Sequence, residues 1–204
     1  GKPLPGDPTL VILPGTKSTI ADLDFFRAQG WDIDLQAHIR RGGWVLGLCG
    51  GYQMLGYQVN DPEGIEGLVT KTPGLGLLDV VTIMQPEKQV RTVRGRAAIS
   101  GAQFSGYEIH IGETKGQDLE RPFLEVKGTP HGAISEDGRI MGAYIHGLFK
   151  SGAFRKDFLS QLDVASDGQN HDEKVDRALD RLADAMEGAL DIEGLLSLAA
   201  APSK

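Results

Sequence analysis

The chain has 204 residues, 40% of them hydrophobic and 24% charged, which suits one globular domain with a sizeable core. A formal net charge of −7 argues against nucleic acid or an anionic membrane surface as a main partner, and no apolar run is long enough to span a bilayer or to read as a signal peptide. The single cysteine excludes an internal disulfide and fits a reducing, cytoplasmic compartment, while 28 glycines favour many tight turns over a helical bundle.

Residues 1–8, rich in Pro and Gly, read as a linker or a cut point. Thr9 to Leu13 reads as a short, fully buried strand closed by Pro14-Gly15-Thr16. Ser18 is placed to cap a helix carrying Ile20, Leu23 and Phe26. A second helix, Asp32 to Arg41, sets Ile33, Ala37 and Arg40 on one side and stops at Gly42-Gly43. A second apolar strand, Trp44 to Leu48, runs into Cys49, and Tyr52 to Leu55 opens a short helix. This alternation of apolar strands and helices predicts an α/β fold, a mostly parallel sheet flanked by helices. Only one strand precedes the cysteine-bearing strand, which points to a fragment of a longer protein lacking earlier strands.

The middle of the chain changes character. Leu77 to Met84, Gln89 to Ile99, Gly106 to Gly112 and Phe123 to Lys127 read as additional β-segments separated by turns. Ala133 to Ser135 and Ile140 to Ile145 flank Glu136-Asp137-Gly138, a hairpin-like turn. Ser151 to Leu162 reads as a helix, and Asp172 to Leu190 carries apolar residues at helical spacing on one face. Residues 9–199 are assigned to one domain and 200–204 to a tail.

Gly47-Leu48-Cys49-Gly50-Gly51 has the pattern of a nucleophile elbow. In such a strand-to-helix turn, flanking side chains would collide, so glycines stand there, and the helix N–H groups favour thiolate and oxyanion. A thiol nucleophile needs a base and an oxyanion donor. Of five histidines, His146 is the best placed. It follows the apolar strand Met141 to Ile145, at the carboxyl end of a strand and so on the rim expected for Cys49. His110 competes with it, because Glu108 and His110 alternate on one strand face with Tyr107 and Ile109 on the other. That pair fits an orienting couple, a substrate contact or an ordinary surface pair, and spacing does not choose among them. The Gly50 N–H, and an N–H from the Gly15 turn, are the candidate oxyanion donors. No Walker-type phosphate loop and no dinucleotide fingerprint is present, and Cys and His are too scattered to suggest a metal site.

Four segments, LVILPGTKSTIADL (10–23), GLCGGYQMLG (47–56), GYEIHIGET (106–114) and GAYIHGLF (142–149), closely resemble the glutaminase domains of cobyric acid synthases. These form part of the cobalamin-pathway branch of class I, triad-type glutamine amidotransferases. GYEIH and HGLF look more like that group than like cobyrinic acid a,c-diamide synthases. The resemblance spans nearly the whole chain and implies a flavodoxin-like fold with an incomplete first part. It implies Cys49 as nucleophile on the side-chain amide of glutamine and His146 as the base that protonates departing ammonia. It implies Gly50 and Gly15 as oxyanion donors, with Gln53 and Tyr52 at the glutamine pocket. Ordinary triad-type members carry a Glu two positions after the histidine. Here that position is Leu148, so a Cys–His pair is expected, with Glu108 a candidate support only if the fold brings it near.

The resemblance further implies an amino-terminal synthetase domain, outside this chain, as partner. That domain would use ATP and Mg²⁺ to activate the b, d, e and g carboxylates of adenosylcobyrinic acid a,c-diamide for amidation. Two alternatives stand beside it: a glutaminase subunit of a cell-wall amidotransferase, and a catalytically silent docking domain.

Overall fold

The computed structural model describes residues 2–199; Gly1 and the tail expected at 200–204 lie outside the described residues. In chain order the elements are β1 (Leu10–Leu13), α1 (Thr19–Ala28), α2 (Trp31–Arg40), β2 (Trp44–Leu48), α3 (Gly50–Leu55), β3 (Gln58–Asn60), β4 (Lys71–Pro73), β5 (Val81–Ala97) and β6 (Gln103–Lys115). Then follow β7 (Leu124–Val126), β8 (Thr129–His131), β9 (Ala133–Ile134), β10 (Ile140–Ala143), β11 (Ile145–His146), α4 (Gly152–Ser160), α5 (His171–Ala189) and α6 (Ile192–Leu198).

Among the described residues two sheets form. The first has the order β1-β2-β10-β9. Its β1, β2 and β10 are parallel, with Ile12 beside Leu46 and Leu46 beside Met141, and β9 closes the edge antiparallel. Alternation along β2 explains why the centre of this sheet is covered on both faces, whereas β1 at the edge is not the fully buried strand expected, Ile12 being 47% exposed. Val45 packs with Leu13, Leu23, Leu35 and Leu55 on the side of α1, α2 and α3, whereas Leu46 packs with Met141, Phe154 and Phe158 on the side of α4. The expected parallel α/β unit is this sheet.

The β-segments expected in the middle build a second sheet of their own, ordered β11-β6-β5-β3-β4 and mostly antiparallel. The segments read separately as 77–84 and 89–99 belong largely to one 17-residue strand, β5. Its ladder with β6 shifts register between Ile83 and Lys88, around Pro86, a residue with no N–H to contribute to a ladder.

Residues 2–8 lie against α2: the Leu4 N–H bonds Asp34 Oδ2 at 2.9 Å, and Trp31 and Arg41 donate to the Lys2 and Gly6 carbonyls. Two local expectations are corrected. Ser18 sits at the N-cap of α1 but its side chain makes no capping bond. Instead Glu66 Oε2 accepts the Ile20 N–H at 2.9 Å. In α2 the buried face is Leu35 and His38, not Ile33, which is 69% exposed, because the ring of His38 reaches the Trp44 carbonyl at 2.9 Å.

The long helix expected at 172–190 is α5, capped by the Asn170 side chain. It buries none of its residues, so its apolar stripe of Val175, Leu179, Leu182 and Met186 is exposed. The short α6 after it had no forecast in the sequence. No helix among the described residues is long and apolar enough to cross a membrane.

Candidate active site

The site begins at the turn between β2 and α3. Cys49 has φ 54° and ψ −115°, a conformation costly for a residue with a β-carbon. Neighbouring atoms hold it there. Its N–H donates to the Ala143 carbonyl on β10 at 2.9 Å, and its carbonyl accepts the Gln53 N–H at 3.1 Å. Two glycines make the turn possible. A β-carbon on Gly51 would overlap the Leu13 carbonyl, and one on Gly47 would come within 2.7 Å of the Gly51 carbonyl oxygen. The tight turn forecast for a nucleophile elbow is therefore present, and its backbone strain falls on the cysteine itself. The thiol leaves the turn toward β6, where Sγ donates to the Ile109 carbonyl at 3.1 Å.

His146 arrives by a route the sequence did not predict. The apolar run read as one strand breaks at Tyr144: β10 belongs to the parallel sheet, whereas β11 pairs antiparallel with β6 in the second sheet. The chain thus changes sheets two residues before the histidine. His146 stands opposite Tyr107 in the ladder, and the two rings stack with centroids 5.1 Å apart and planes 4° from parallel. A β-carbon on Gly15 would lie 2.9 Å from His146 Cε1 and 3.3 Å from Cys49 Cβ. The loop after β1 thus runs against both side chains, and only glycine leaves room there. Burial lowers the His146 pKa below its ordinary 6.5; hydrogen bonding to the Ile109 carbonyl, which favours the protonated ring, opposes that shift.

Cys49 and His146 face one cavity of about 560 Å³, bounded also by Gly15, Lys17, Thr19, Gln53, Glu66 and Tyr107. Gln53 is 4% exposed and held at both ends: Oε1 accepts from Thr19 Oγ1 at 3.0 Å and Nε2 donates to the Ile111 carbonyl at 3.0 Å. It braces the cavity wall. Gly50 opens α3 directly after the thiol, so its N–H lies at the helix end beside Cys49. Tyr52, expected at the same pocket, is not in it. One residue before Gln53 on α3, its ring turns into the sheet, 1% exposed and edge-on to Tyr144 at 5.1 Å.

Glu108 does not support His146. The strand alternation read from the sequence holds, and it separates them: Tyr107 and Ile109 face the thiol and His146, Glu108 the other side. Glu108 accepts from Arg91 Nε at 2.5 Å and lies 3.3 Å from His131 Nε2. Burial alone would raise its carboxyl, but hydrogen bonds to His131 and Arg91 and the attraction of both hold it down at about 2. His110 Nδ1 is 3.4 Å from the same carboxylate, in a direction that makes no hydrogen bond, and its ring stacks on Tyr144 at 4.1 Å. Glu108, Arg91, His131, Tyr144 and Tyr52 border a second cavity of about 400 Å³, and His110 borders both cavities.

The sequence reading passed over Tyr107, the Ile109 carbonyl, Lys17 and Glu66. Tyr107 was within reach, since its side chain occupies the strand face opposite Glu108. Glu66 was not, because only the tertiary fold carries its loop to α1.

The family model of the CobB/CobQ-like glutamine amidotransferase domain matches residues 1–154. The chain is 57% identical over 199 residues to a cobyric acid synthase of Cereibacter sphaeroides, an alignment covering 98% of this chain and 41% of that protein. It is 58% identical over 199 residues to a cobyric acid synthase of Rhodobacter capsulatus, with the same coverage of each. The chain thus spans about two fifths, 41%, of the length of the curated relatives it matches. Among solved structures, a glutamine amidotransferase crystal structure is similar with a TM-score of 0.53 at 16% identity, covering 76% of this chain and 78% of that one. That likeness bears on the fold.

Proposed function

This chain belongs to the CobB/CobQ-like glutamine amidotransferase domain family, and we propose that it is the glutaminase part of a cobyric acid synthase. In this reading it hydrolyses free glutamine and supplies ammonia to a synthetase region of the same longer protein. The observation that carries the reading is the strained Cys49 turn facing His146 across one cavity, with Gly15 against both.

The chemistry follows from the placement. His146, kept neutral by burial, takes the Cys49 proton as sulfur attacks the amide carbon of the glutamine side chain. The tetrahedral oxygen takes up negative charge beside the N–H groups of Gly50 and Gly15. The C–N bond then breaks, the imidazolium proton passes to the leaving nitrogen, and ammonia departs from a γ-glutamyl thioester. Water, deprotonated by His146, attacks the thioester and releases glutamate and the thiol. Gln53 holds the wall against which the substrate chain lies.

The synthetase region would bind ATP and Mg²⁺ and activate the b, d, e and g carboxylates of adenosylcobyrinic acid a,c-diamide. The 57% and 58% identities to cobyric acid synthases favour this over a cell-wall amidotransferase subunit. The retained Cys49–His146 cavity favours it over a silent docking domain. A cytoplasmic setting fits the lone thiol.

The test is mass spectrometry of the chain after exposure to 6-diazo-5-oxo-norleucine, a glutamine-like electrophile. A single adduct on Cys49, absent in Cys49→Ala and suppressed by excess glutamine, is the expected result. A folded chain in which Cys49 reacts with iodoacetamide but shows no glutamine-protected adduct would count against it.

A further inference from the structure

The cavity that holds Cys49 and His146 is largely lined by uncharged groups, among them Met84, Ile109, Ile111 and Thr19. Two charged side chains of opposite sign also border it, Lys17 and Glu66. They come from different places. Lys17 lies two residues beyond Gly15 on the loop that touches both catalytic side chains, and it is exposed. Glu66 is carried in by a separate loop, which the fully buried Asp61 holds in shape by accepting the Ile65 and Glu66 N–H groups, each at 2.8 Å. One oxygen of Glu66 accepts the Ile20 N–H at 2.9 Å, so the carboxylate is fixed beside the first turn of α1. That bond accounts for one oxygen only; an ionised carboxylate accepts at both.

A free amino acid amide is a zwitterion. When its side-chain amide reaches the half-buried Cys49 thiol, its ammonium and carboxylate are carried into the cavity, where charges withdrawn from water are costly unless paired. A cation on one loop and an anion on another meet that requirement. Resting on the reading of Cys49 as the glutamine-attacking thiol, we propose that Glu66 binds the α-ammonium and Lys17 the α-carboxylate of the substrate. The pair makes the site select a free α-amino acid amide over a simple primary amide or a glutamine residue within a peptide, whose backbone carries neither charge.

The test uses three amides as protectors of Cys49 against iodoacetamide: glutamine, glutaramic acid, which lacks the α-amino group, and 4-aminobutanamide, which lacks the α-carboxylate. In the unaltered chain glutamine should protect best. Glu66→Gln, whose amide oxygen can still accept the Ile20 N–H, should weaken protection by glutamine about 10- to 100-fold. It should leave protection by glutaramic acid unchanged. Lys17→Met should weaken glutamine by a similar factor and leave 4-aminobutanamide unchanged. Equal loss for all three amides, or no loss, would overturn the charge assignment while glutamine still protects the unaltered chain. Failure of glutamine to protect the unaltered chain would overturn the glutaminase reading, and this inference with it.

Discussion

At Cys49 the backbone is bent into a region where a β-carbon is a liability, and the thiol is presented at the tip of that bend. The usual ranking of small residues should reverse here. Glycine costs stability in most regular structure, yet Cys49→Gly should be more stable than Cys49→Ala by about 1 kcal/mol, because alanine keeps the strain that glycine relieves. Urea unfolding of the two variants measures the difference directly; alanine the more stable would mean that the turn is relaxed. Both variants lack the thiol, so the comparison isolates the backbone from the chemistry.

Among the elements, β6 is the one that organises the site. Its alternation turns the Tyr107 ring to the imidazole and Glu108 to Arg91 and His131, while its Ile109 backbone carbonyl accepts from the thiol. Because β11 pairs with it, His146 is stacked on Tyr107 and half-buried. A histidine so placed stays neutral to lower pH than usual. The base is then present above its lowered pKa and is lost as pH falls through it. The acid limb of kcat/KM for glutamine should accordingly lie below pH 6.5, the ordinary histidine value. Tyr107→Ala should lower kcat about tenfold with little change in KM and move that limb up toward the ordinary value, as water reaches the ring. Tyr107→Phe keeps the stacking surface and should restore both. An NMR titration of His146 that does not move in Tyr107→Ala would remove Tyr107 from this role.

For the whole molecule, the cavity of Cys49 and His146 lies where the two sheets meet, with the thiol delivered by the parallel sheet and the histidine by the antiparallel one. Behind it the Glu108 cluster ties β5, β6 and β8 together. The sign of its pH dependence is set by the lowered carboxyl. Stability from Glu108 is fully present above the ordinary carboxylate value of 4.5 and is lost as pH falls through about 2. Glu108→Gln should therefore cost about 2 kcal/mol at neutral pH, less than a fully buried pair because Arg91 is exposed. The cost should shrink to near zero around pH 2, as measured by urea unfolding at the two pH values. A pH-independent difference would mean that shape, not charge, accounts for the effect.

The parallel unit, the elbow and the identity of its thiol were legible in the sequence because they depend on local rules. Apolar runs of strand length, glycines wherever a β-carbon would collide and one cysteine between them leave few other readings. The alternation on β6 was legible for the same reason. What the sequence did not contain was the sheet switch at Tyr144, the stacking of Tyr107 on His146, the removal of Glu108 to another cavity and the arrival of Glu66 at α1. Each of these depends on pairings between segments far apart in the chain. Their register is set by packing and hydrogen bonds that exist only once both sheets have formed, so the sequence singled out His146 but tertiary structure alone decided by what route it meets the thiol and what holds it there.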